Sequence, residues 1–145
     1  MKIQNLLFAL VLVFVFVVAS CSSDTENEER TIIVEKRVEN ENKYSYLREV
    51  TDIKQVNKAI NMLEKSNWTN AEVSMAYPPH YKFHFDYVEK ETQSDGVVYE
   101  LWVSPNKDKI ELVIQGKGKY IQLNKSKSAE LFEIVTGEKL SDLKQ

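Results

Sequence analysis

The sequence holds one cysteine, four glycines, three prolines and two histidines in 145 residues. A single cysteine excludes a disulfide framework within the chain and any cysteine-based zinc site. The four scattered glycines form no phosphate-cradling loop, and no Gly-x-Ser-x-Gly elbow occurs. Charge of one sign is nearly absent as an excess. The net charge of −3 gives no reason to expect nucleic-acid binding. No internal repeat is evident, and the length allows one domain. The 43% hydrophobic content is unevenly spread, because 16 apolar residues lie in the first 19 positions. From Cys21 onward the apolar share falls to about 37%.

The one long hydrophobic run is Leu6–Ala19, preceded by the single cation Lys2. Its 14 residues are short for a permanent span, which needs about 20, and suit a signal-peptide core better. Val18-Ala19-Ser20-Cys21 follows directly. This string resembles the lipobox of bacterial lipoproteins. The resemblance implies cleavage between Ser20 and Cys21 and a diacylglyceryl group on the Cys21 thiol. The new amino end is often acylated (palmitate is one such chain). Two or more acyl chains anchor stably where one does so marginally, at roughly 0.8 kcal/mol per buried CH2. An uncleaved signal anchor, or an ordinary signal peptide with an incidental cysteine, are the alternatives. Ser22–Arg30 has no aliphatic or aromatic residue, so it reads as a disordered tether. Its nine residues reach at most about 30 Å. The expected division is a signal peptide over 1–20, a lipid-anchored tether over 21–30 and one domain over 31–145.

Within the domain, Thr31–Val38 is β-rich and reads as a first strand, and Glu39–Lys43 as a loop. Asp52 with Gln55 forms a helix-capping signal. Ile53, Val56, Ile60 and Leu63, with Ala59, then make one amphipathic helix over about 52–66. Tyr81, Phe83, Phe85 and Tyr87 alternate with polar residues. So do Val97, Tyr99, Leu101 and Val103, then Ile110, Leu112 and Ile114, then Ile121 and Leu123. Turn signals separate these rows at Glu91–Gly96, Ser104–Asp108 and Gly116–Gly118. Ser126 or Ser128 would cap a last helix bearing Ala129, Leu131, Phe132 and Val135, and Gly137 suits its C-terminal cap. The tail beyond is expected to fray. The predicted class is α+β: a four- to five-stranded antiparallel meander with two helices packed on one face.

Tyr81-Lys-Phe-His-Phe, Leu101-Trp102-Val103 and Tyr120-Ile-Gln-Leu-Asn-Lys-Ser-Lys-Ser-Ala-Glu-Leu resemble the YhfM-like domain of small Bacillus lipoproteins. The resemblance covers roughly residues 68–137. It implies the same fold and a surface location, and it brings no catalytic residue.

Chemistry-bearing residues are sparse. His80 and His84 have helical i, i+4 spacing, but the alternating aromatics place them on a strand, about 13 Å apart. No metal site and no cofactor follow. Paired acids such as Glu28/Glu29 and Glu89/Glu91 fall in tether or loop and read as solvation. No base comes with a nucleophile and an orienting partner, so no catalytic residue is assigned and an enzyme ranks last. If Tyr81, Tyr99, Ile110 and Ile121 face the helices, the opposite face carries Val98, Trp102, Val113 and Tyr120, among His84, Glu100 and Glu111. That row is a candidate interaction surface, unless the first strand or the Trp68–Pro79 loop covers it. The expected setting is the extracytoplasmic side of the cell membrane, reached through the N-terminal lipid. The expected partner is another envelope protein. The alternative is a small ligand or envelope polymer held in a cleft between helix and sheet.

Overall fold

The computed structural model describes residues 30–39, 41–88 and 96–143. The expected signal peptide, Cys21, the expected tether before Arg30 and most of the expected Glu91–Gly96 turn lie outside them. The described elements are β1 (Arg30–Arg37), β2 (Tyr44–Val50), α1 (Ile53–Glu64), β3 (Thr69–Asn70) and β4 (Tyr81–Tyr87). β5 (Tyr99–Val103), β6 (Ile110–Ile114), β7 (Lys119–Gln122) and α2 (Lys125–Thr136) follow, and a 3-10 turn over Leu140–Asp142 ends the fold.

The strands form one antiparallel sheet in the order β2-β1-β4-β5-β6-β7-β3. The α+β class holds and the predicted meander is β4–β7, but seven strands replace the expected four to five. Both additions sit at edges. β2 lacks alternation because a register shift opposite Val34/Glu35 leaves Leu47 unmatched. Arg48 then takes the position opposite Val34. A bulge of this kind hides a period of two from the sequence. β3 is two exposed polar residues and carries no apolar signal at all.

α1 and α2 pack on one face of the sheet. Ile32, Val34, Tyr81, Phe83, Leu101, Ile110 and Leu112 point into that layer, and Val56, Ala59, Leu63, Leu131, Phe132 and Val135 meet them. Tyr81 sets its ring edge-on to Phe132 at 5.7 Å. The Asp52 side chain accepts a bond from the Gln55 amide at 3.0 Å, as its spacing predicts. Ile53 departs from the expected stripe. It stands 52% exposed on the first turn, and Met62 takes its place in the core.

The second helix starts earlier than expected, its cap two residues before Ser126. Asn124 caps it, accepting from the Lys127 amide at 2.9 Å, so neither Ser126 nor Ser128 does. Ser128 instead is fully buried. Its hydroxyl accepts from the Ile110 amide at 3.0 Å and donates to the Leu123 carbonyl at 3.1 Å. Ala129, counted as apolar contact, faces outward in its stead. Gly137 ends the helix at φ 77°, the left-handed cap expected of it. The tail does not fray at once. Leu140 is buried and Leu143 packs on the core.

Ser128→Ala removes the side-chain partner of two backbone groups, the Ile110 amide and the Leu123 carbonyl. It is expected to cost about 1–3 kcal/mol in urea denaturation. Ser126→Ala, on the exposed side of the same turn, is expected to stay within about 0.5 kcal/mol.

Candidate functional site

The strand register fixes which side chains share the outer face, away from the helices. Glu35 and Tyr46 are paired, Glu35 faces Lys82, Lys82 faces Glu100, Glu100 faces Val113, and Val113 faces Tyr120. The neighbouring row runs through Tyr44, Arg37, His80, Trp102, Glu111 and Gln122. His84 lies one row further on, opposite Ile33. Val98 sits just before β5, and its carbonyl accepts from the Gln115 amide. The four positions assigned to a candidate surface thus stand on one side of the sheet.

That side is not bare. Residues 71–79 cross it as a strap from the β3 edge to the start of β4. The Ala71 amide donates to the Gly118 carbonyl at 3.0 Å at one end, and the His80 amide to the Leu101 carbonyl at 2.9 Å at the other. Three consecutive strap carbonyls then accept side-chain donors from three strands. Trp102 Nε1 donates to the Tyr77 carbonyl at 2.8 Å. Arg37 Nη1 donates to the Pro78 carbonyl at 3.3 Å, and the Tyr44 hydroxyl to the Pro79 carbonyl at 2.8 Å. Trp102 is left only 5% exposed, so the covering loop is realised at this residue. Val98, Val113 and Tyr120 remain half-buried.

Between strap and sheet lies a cleft of about 380 Å³ lined by Val73, Met75, Tyr77, Trp102, Val113 and Glu100, with Ala76 and Pro78 at its wall. Glu100 pairs with Lys82 at 3.1 Å, and both side chains are largely withdrawn from solvent. Lys82 also lies 4.7 Å over the Tyr44 ring. Burial pushes the Tyr44 hydroxyl above its ordinary pKa. The layer between helices and sheet, by contrast, is filled by core side chains. The groove on the helix side lies between α1 and α2, about 590 Å³, and its wall is charged: Lys54, Lys58, Glu130 and Glu133.

The two histidines part ways. His84 is half-buried among polar neighbours on β4. His80 is packed against the Tyr77 ring, edge-on at 5.4 Å, and its Nδ1 accepts from the Val103 amide at 3.1 Å. Among the described residues, no group of three or more His, Cys, Asp or Glu could hold a metal ion. The strap's role was hidden from the sequence because its anchors are backbone carbonyls, which every residue carries. The signal that pointed to it was Pro78-Pro79, two carbonyls with no competing amide hydrogen.

The YhfM protein family model matches residues 25–141, and the chain belongs to that family. The match is wider than the resemblance over 68–137, taking in β1, β2 and α1 as well. Comparison with curated proteins and with solved structures finds no match.

Tyr44→Phe deletes one strap bond and is expected to cost about 1 kcal/mol in thermal or urea unfolding. Trp102→Ala also empties a filled site and is expected to cost about 3–5 kcal/mol. The same measurement on Tyr46→Phe, a ring exposed on the same strand as Tyr44, should show no change.

Proposed function

We propose that this member of the YhfM family is a lipid-anchored protein on the extracytoplasmic side of the cell membrane. Its domain binds another envelope protein on the strap side of the sheet. The location is supported by Val18-Ala19-Ser20-Cys21 directly after a 14-residue apolar run. Cys21 is the lipid-bearing residue in this reading, and nine residues of acidic tether follow it.

One observation carries the binding reading. Among the described residues, six large hydrophobics are well exposed, and three of them lie on the strap side. They are Val73 at 39%, Tyr77 at 42% and Tyr46 at 65%. Exposed apolar and aromatic groups gathered on one side mark contact surfaces. The surface differs from the one expected from sequence. Trp102 supports it from beneath, and Tyr77 and Val73 present it. The folded domain carries little net charge, so contacts there rest on shape and aromatic area.

The cleft beneath the strap favours a second reading, a small ligand or polymer end held between Trp102, Val113 and Met75 near Glu100. An enzyme ranks last.

Cys21→Ala is expected to abolish labelling by a fatty-acid probe and release the protein from membranes. Unchanged retention and labelling would refute the anchor. A photocrosslinker at position 77 in intact cells is expected to give one defined adduct, lost on Val73→Glu. No adduct beyond that from a probe at position 139, on the far end of the chain, would remove the partner reading. A ligand under the strap would instead raise the melting temperature in a metabolite screen.

A further inference from the structure

We propose that the strap over residues 71–79 is a pH-sensitive cover, with His80 as its latch, which loosens when the imidazole takes up a proton. The use of that opening rests on the binding reading above; the opening itself does not.

The geometry at His80 demands a neutral ring. Its Nδ1 accepts a hydrogen bond from the Val103 amide at 3.1 Å. An acceptor nitrogen carries no proton, so the hydrogen of the neutral ring sits on Nε2. Protonation would put a second hydrogen on Nδ1, facing the Val103 N–H. The two donors cannot share that space, and the ring must turn away. Turning it breaks the edge contact with the Tyr77 ring, whose own carbonyl holds Trp102.

The charges around His80 work in the same direction. Arg37 is its neighbour on β1, and the Arg37 guanidinium holds the Pro78 carbonyl. A cationic His80 would repel that guanidinium and weaken a second strap bond. Tyr44 stands beyond Arg37 on β2, and Tyr77 on the strap itself. Trp102 is the neighbour on β5, with Glu111 beyond it on β6. One position along lie Glu35 on β1, Lys82 on β4 and Glu100 on β5. Lys82 and Glu100 neutralise each other at 3.1 Å. Burial, and then Arg37, hold the His80 imidazole below its ordinary pKa.

The sign follows. The unfolded or unlatched chain binds the proton more readily than the latched one. The latch is therefore fully closed above the ordinary histidine pKa of about 6.5. It is lost as pH falls through the lower pKa of the latched ring. Asn places its side-chain oxygen where Nδ1 stands and does not titrate, so His80→Asn keeps the acceptor and removes the switch.

The test uses the full chain in detergent with Trp68→Phe, so that Trp102 alone reports, and acrylamide as a neutral quencher. Between pH 8 and pH 5 the quenching constant is expected to rise severalfold, with far-UV circular dichroism unchanged. In the His80→Asn version it is expected to stay flat. A flat profile in the chain that keeps His80, an equal rise in the His80→Asn version, or a parallel loss of secondary structure would each overturn the proposal. Should His80→Asn fail to fold, the native chain decides. The Trp102 indole N–H resonance must shift with the same midpoint as His80 protonation, and independence of the two overturns the latch.

Discussion

β3 lies at one edge of the sheet, and β4 lies four places away, beyond β7, β6 and β5. The chain between them must cross three strands, and one face is already filled by two helices. At about 4.8 Å per strand, the crossing spans roughly 19 Å, within the roughly 33 Å that ten extended residues reach. The crossing segment therefore has one route, over the outer face, and everything on that face is arranged around it. Pro78 and Pro79 suit the route because they offer carbonyls and need no acceptor. Tyr44, Arg37 and Trp102 supply donors from β2, β1 and β5, so one short segment ties three strands together.

The helix side solves the same problem by different means. Aromatic and aliphatic side chains fill the layer, with Phe83 stacked on Tyr99 at 5.0 Å and set edge-on to Phe85 at 6.3 Å. Ser128, a polar group drawn into it, uses both hydrogen-bonding capacities on the backbone of β6 and the end of β7. Its burial costs little because its hydroxyl is left fully matched. Outside this layer, Asp108 accepts from Ser104 at 3.2 Å and pairs with Lys125 at 2.9 Å, tying the β5–β6 turn to the start of α2. The two sides are thus unequal. One is a sealed core, and the other is a cover held by a few directional bonds over a small cleft.

The meander and the two helices were legible because their apolar residues repeat at the period of the element that carries them. Tyr81, Phe83 and Phe85 alternate on β4, and Val56, Ala59 and Leu63 keep to one face of α1. β2 was not legible, since its bulge puts Leu47 out of step and turns Arg48 toward the core side. Ser128 looked like a helix cap because serine is common there; its burial depends on β6 and β7, whose backbone it joins. The sidedness of Trp102 was legible from alternation alone. Its cover was not, because backbone carbonyls leave no mark in a sequence. The chain's family, by contrast, was carried by short strings around β4, β5 and α2, and it extends to residues 25–141.

The strap is held on the outer face through the Trp102 indole. Hydrogen exchange at the Trp102 indole N–H, followed in the full chain at neutral pH, tests it most directly. A bond of 2.8 Å to the Tyr77 carbonyl under a covered ring predicts exchange far slower than that of a free indole. Exchange at the free-indole rate, with the backbone amides of β5 still protected, would mean that the strap does not hold the face.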